Sequence, residues 1–93
     1  MNSICIIIPF YNEAKRFPDG EFLKFLQNYQ DICFCLVDDG SSDGTTTLLK
    51  SLQEKAPERI NLTTLPENKG KAAAVQAGIK SALQHFPASY FGY

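Results

Sequence analysis

The first residues that ask for a chemical explanation are Asp38 and Asp39, adjacent carboxylates that end an apolar run and open into Gly40-Ser41-Ser42-Asp43-Gly44-Thr45. Neighbouring carboxylates repel one another, and each loses solvation when it is drawn into a fold. Along a strand, successive side chains point to opposite faces, so each carboxylate needs its own partner. An aspartate in such a place can accept hydrogen bonds from the N–H groups of a nucleobase, or from ribose hydroxyls. Turn and cap chemistry accounts for Gly40, Ser42, Asp43 and Gly44. It gives no reason for a second carboxylate at 38–39.

Two other clusters invite a similar question. In Pro9-Phe10-Tyr11-Asn12-Glu13, Pro9 has no N–H to give a ladder and so belongs at a strand end. Tyr11 offers a flat ring for stacking, although a tyrosine beside a sheet is also an ordinary packed aromatic, and Glu13 adds an acceptor. The third cluster, Asn68-Lys69-Gly70-Lys71, stands where a helix begins. Cations there are unfavourable by roughly several tenths of a kcal/mol each, whereas a diphosphate would pair with Lys71 and with the free backbone N–H groups. The plainer account is a solvated pair between Lys69 and Glu67. His85, the single histidine, is expected on the surface near the end of the third helix.

The surrounding pattern shows what positions these groups. Ile4-Cys5-Ile6-Ile7-Ile8 and Ile32-Cys33-Phe34-Cys35-Leu36-Val37 are apolar on both faces, as buried parallel strands are. Ile60 to Leu65 predicts a weaker third strand, and Ser89 to Tyr93 the start of a fourth. Between them, Phe22, Leu23, Leu26 and Tyr29 predict one helix. Leu48, Leu49 and Leu52 predict a second, with Ser42 or Asp43 as N-cap and Pro57 beyond its end. Val75, Gly78, Ile79, Ala82, Leu83 and Phe86 mark a third from about Lys71, and its small residues suggest close packing on a sheet. Strands alternating with helices predict an α/β, Rossmann-like parallel sheet of order 3-2-1-4. All three clusters then fall at the carboxyl edge of that sheet, where open α/β folds bind ligands.

Composition narrows the function. Ninety-three residues make one small domain, and a net charge of -1 gives none of the basic surplus of a nucleic-acid binder. Three cysteines, all within apolar runs, do not form a disulfide scaffold. Cys33-x-Cys35 is the wrong spacing for a zinc knuckle, so these residues are expected to be buried, reduced hydrophobes. No signal-like or membrane-length segment is present, and the chain reads as soluble and cytoplasmic.

Together the segments Ile6 to Glu13, Val37 to Thr45 and Asn68 to Gly78 resemble the family 2 glycosyltransferases of the GT-A fold, in order and in separation. The third is similar to the polyprenyl-phosphate (dolichyl-phosphate-type) mannosyl- and glucosyltransferases. The resemblance implies that residues 1–93 form the N-terminal nucleotide-binding portion of a GT-A domain. Pro9, Tyr11 and Glu13 would line the base and ribose pocket. Asp39 would hold the nucleobase edge, Asp38 would support the loop or the ribose, and Gly70 and Lys71 would approach the diphosphate of a UDP- or GDP-sugar.

The resemblance further implies Mg²⁺ or Mn²⁺ on an Asp-x-Asp motif after the fourth strand, so the metal ligands are expected beyond Tyr93. The catalytic carboxylate and the site for the acceptor, a polyprenyl phosphate or a glycan, are expected there as well. The chain alone is therefore expected to hold no metal and transfer no sugar, and the full-length protein to work at the inner face of the membrane. Self-association through an open sheet edge near Tyr93 is a further expectation. Rival readings are a phospho-acceptor receiver domain, suggested by the acidic pair, and a non-catalytic nucleotide-binding module. A dinucleotide or ATP site is disfavoured because G-x-G-x-x-G is absent and Gly70-Lys71 is followed by Ala72.

Overall fold

The β-branched run at the start of the chain becomes β1 (Ile4–Phe10) in the computed structural model, which describes residues 4–86 and 90–92. It is followed by α1 (Asp19–Asn28), β2 (Ile32–Asp39), α2 (Thr45–Lys55), β3 (Ile60–Leu65), α3 (Lys71–His85) and β4 (Tyr90–Gly92). The sheet has the order β3-β2-β1-β4, with parallel pairing throughout. The Rossmann-like order read from the sequence is thus the order observed. Because β3 lies beside β2 and not beside β1, the 2-1-3-4-5 order of receiver domains is excluded. Ser89 and Tyr93, included in the expected fourth strand, lie outside the described residues.

Alternation along β1 and β2 divides the core between the two faces of the sheet. Cys5, Ile7, Cys33, Cys35 and Val37 face α3 and pack on Ala74 and Ala82. Phe10, Phe34 and Leu36 face the other way and meet Leu26 of α1 and Leu49 and Leu52 of α2. A buried Leu or Ile contributes about 1.5–3 kcal/mol, so β2, buried from Cys33 to Asp39, anchors the domain. The three cysteines are free and buried. Burial pushes the Cys5 and Cys33 thiols up, which leaves them protonated packing groups.

Helix α3 approaches the sheet closely at Gly78, where an added Cβ would stand 2.4 Å from Ile7 Cγ2 and 2.8 Å from Val37 Cγ2. At the edge of the sheet remote from the clusters, Arg59 donates to the carbonyls of Leu26 at 2.6 Å and Ile32 at 2.9 Å, and also to that of Tyr29. Helix α1 has no basic residue in its last turn, and this guanidinium supplies one from outside the helix. Among the described residues no helix is long and apolar enough to cross a membrane.

Three local expectations are corrected. Gly44, not Ser42 or Asp43, stands at the N-cap of α2, with no side-chain cap hydrogen bond; the Ser42 hydroxyl turns to Asn12 Oδ1, and Asp43, one residue before Gly44, accepts the Thr45 N–H. Tyr29 is not on the inner face of α1 but follows its end, 51% exposed and stacked on Phe25 at 4.6 Å. Leu83 is 63% exposed, because it is one residue, or about 100°, round the helix from the buried Ala82. Ala74 takes a place on the inner stripe instead.

Candidate functional site

Parallel pairing brings the carboxyl ends of the strands to one edge. Phe10 pairs with Asp38 and Asp39 with Leu65, so the loops after β1, β2 and β3 leave the sheet side by side. The β2 carboxylates then diverge, as alternation requires. Asp38 is fully buried; its Oδ1 accepts the Ser41 N–H at 3.0 Å, and its Oδ2 accepts the Thr46 hydroxyl. It holds the turn before α2 and does not line the cleft described below.

Asp39 is 3% exposed and organises the loop before α3. Its Oδ1 accepts the Lys69 N–H at 2.8 Å. Its Oδ2 accepts the Gly70 N–H at 3.0 Å and the Asn68 side-chain amide at 3.1 Å. Partners of this kind offset the desolvation of an ionised carboxylate. No buried side-chain polar atom among the described residues lacks a hydrogen bond. Oδ1, with one protein donor, keeps acceptor capacity for a ligand N–H.

Two glycines make this geometry attainable. Gly40 has φ 70°, and a Cβ there would lie 2.3 Å from the Asn68 nitrogen. The turn after β2 therefore sits directly against the backbone of the loop before α3. Gly70 has φ 97° with open space where a Cβ would be, so its requirement is conformational.

The loop after β1 forms the opposite wall. Asn12 takes φ 52°; its N–H donates to Ser41 Oγ at 3.1 Å, and its Oδ1 accepts the Ser42 N–H at 2.9 Å. Tyr11 is left 47% exposed at the rim. Glu13 meets Arg16 at 2.5 Å in a solvent-facing ion pair.

Between these walls lies a cleft of about 560 Å³ lined by Pro9, Tyr11, Glu13, Asp39, Asn68, Gly70 and Lys71, over a floor that includes Ile6, Ile8 and Phe10. The size suits a nucleotide-sized ligand. Six of the seven residues singled out in the sequence meet here, and Asp38 does not. Lys69 turns outward and pairs with Glu67 at 3.1 Å, which is the plainer account given above. Lys71, at the first turn of α3, makes no ion pair among the described residues. Asn68 and Asn12 were not singled out as site residues; their only local sign is an amide in a turn. Among the described residues, no three His, Cys, Asp or Glu come together as a metal cage.

Comparison with known proteins identifies the family to which this fold belongs. The profile of glycosyl transferase family 2 matches residues 5–86. A dolichyl-phosphate beta-glucosyltransferase of Dictyostelium discoideum is 39% identical, over 82% of this chain and 26% of that protein. Its Mus musculus counterpart is 36% identical, over 85% and 27%. This chain thus spans about a quarter of the length of these curated relatives. Among solved structures, the mannosyltransferase PcManGT from Pyrobaculum calidifontis, in complex with GDP-Man and Mn²⁺, superposes with a TM-score of 0.68 at 28% identity. That match covers 85% of this chain and 24% of the other. S. aureus TarS shares the fold, with a TM-score of 0.68 at 24% identity over 86% of this chain and 14% of its own.

Proposed function

This chain belongs to glycosyl transferase family 2, and on that footing we propose that its cleft binds the nucleoside diphosphate of a sugar donor. The observation that carries the proposal is the convergence on one cleft of an aromatic rim, a buried carboxylate and a helix N-terminus. These are Tyr11, Asp39, and Gly70 with Lys71. Tyr11 stacks on the base, and Asp39 Oδ1 accepts from its edge. Pro9 and Glu13 border the ribose. Lys71 and the unpaired N–H groups of the first turn of α3 meet the diphosphate, where the helix dipole favours negative charge. Asp38 acts by keeping the turn beside the ribose in shape.

In the parent protein, the donor is a UDP- or GDP-hexose and the acceptor is a polyprenyl phosphate, at the cytoplasmic face of a membrane. The dolichyl-phosphate relatives support the acceptor, and the GDP-Man complex supports the donor class. A divalent cation would neutralise the leaving diphosphate, and its ligands are to be sought outside the described residues. The residues of this chain bind and orient the donor.

Calorimetric titration of UDP-glucose and GDP-mannose into the chain tests the proposal. Saturable binding of at least one, weakened by K71A, is expected. Absence of binding at millimolar concentrations would contradict it. Mixed with either donor, Mg²⁺ and dolichyl phosphate, the chain is expected to form no glycolipid.

A further inference from the structure

Thr45 opens α2, yet it is fully buried and its side chain caps no helix. Its Oγ1 accepts the Glu13 N–H at 2.9 Å and the Ala14 N–H at 3.1 Å. Its own proton goes to Asp43 Oδ1, which also accepts the Thr45 N–H at 2.9 Å. A hydroxyl has one proton and two lone pairs, and here all of them are used. Asp43 fixes the direction of the O–H bond, and both lone pairs are thereby turned toward the loop after β1.

That loop is the cleft wall carrying Tyr11 and Glu13. The chain enters it through Asn12 in the left-handed region, a conformation that persists only where the surroundings hold it. Thr45 supplies the acceptor for the next two backbone N–H groups in the loop. Without its oxygen, Glu13 and Ala14 would lose those bonds, and a wall free to re-form would meet the ligand in several conformations.

We propose that Thr45, aligned by Asp43, is a positioning residue for the nucleotide cleft, acting through the Glu13 and Ala14 amides and not by touching the ligand. The inference rests on the assignment of the cleft to a nucleoside diphosphate.

The test uses T45V, which removes the hydroxyl at nearly constant volume, and T45S, which restores it. Amide hydrogen exchange and titration with UDP and GDP are followed on the wild type and both variants. In T45V the Glu13 and Ala14 amides are expected to lose protection and affinity to fall about tenfold, while the amides of β1 and β2 stay protected. T45S should keep affinity within about twofold of the wild type. Should T45V not fold, D43A, at an exposed position, replaces it and should weaken binding several-fold. Unchanged affinity in T45V, or in D43A where that variant stands in, would overturn the proposal alone. A wild-type chain that binds neither nucleotide would overturn both the proposal and the assignment of the cleft.

Discussion

Asp39 and Gly70 stand 31 residues apart in the chain, and the Gly70 N–H donates to Asp39 Oδ2 at 3.0 Å. This bond joins the carboxyl end of β2 to the start of α3. The carboxylate expected to read a nucleobase is also the group that shapes the neighbouring loop. Asp39→Asn puts an amide N–H₂ where an oxygen now accepts, so at least one of the donors at Asn68, Lys69 and Gly70 loses its partner. Stability should fall by about 1–3 kcal/mol, measured by urea denaturation, and nucleotide binding should weaken with it.

Lys71 separates binding from stability. It is exposed and lies in the first turn of α3, where a cation is unfavourable to the helix. Lys71→Ala should leave stability unchanged or raise it by a few tenths of a kcal/mol. Affinity for a nucleoside diphosphate should fall, and its dependence on salt should flatten. Affinity for the uncharged nucleoside should hardly change. Titration of each ligand at two ionic strengths checks all three expectations.

Gly78 answers for the packing of α3. A methyl at this position would meet Ile7 and Val37 inside the closest approach that side chains tolerate, and both partners are buried core groups. Gly78→Ala should therefore destabilise by about 1–3 kcal/mol, despite the better helix propensity of alanine. A rise in the urea midpoint would contradict the close contact.

Asp43 gives a pH signature. Its hydrogen bond from the Thr45 hydroxyl holds its carboxyl below the usual carboxylate value. A folded-state pKa lowered in this way contributes stability above the unfolded-state pKa, and that contribution is lost as pH falls through the folded value. Protection of the Glu13 and Ala14 amides should thus persist at neutral pH and down through the ordinary aspartate value of about 4, and decline only below it, as the carboxyl titrates at its lowered value. D43N should remove that part of the decline.

The sequence made the framework legible where physics acts locally. The apolar runs at Ile4 to Ile8 and Ile32 to Val37 admit little but buried strands, and the helical stretches between them set the parallel order. The clustering of Pro9, Tyr11, Asp39, Gly70 and Lys71 follows from that order alone. What sequence did not show is the set of bonds between loops. Thr45 meets Glu13 across 32 positions, and Asn68 meets Asp39 across 29; neither spacing has any local periodicity. The cap of α2 escapes local pattern for the same reason, since Asn12 draws the Ser42 hydroxyl from 30 residues away. Hydrophobicity alone puts Leu83 on the inner stripe, and the helical angle places it outside.

The most direct measurement is a two-dimensional amide NMR titration of the isotope-labelled chain with UDP and, separately, with GDP. Saturable shifts at Tyr11, Asp39, Gly70 and Lys71, with residues of the Arg59 edge unmoved, are the predicted result. No shift with either nucleotide at millimolar concentration, or shifts confined to another face, would contradict the assignment of this cleft to the sugar donor.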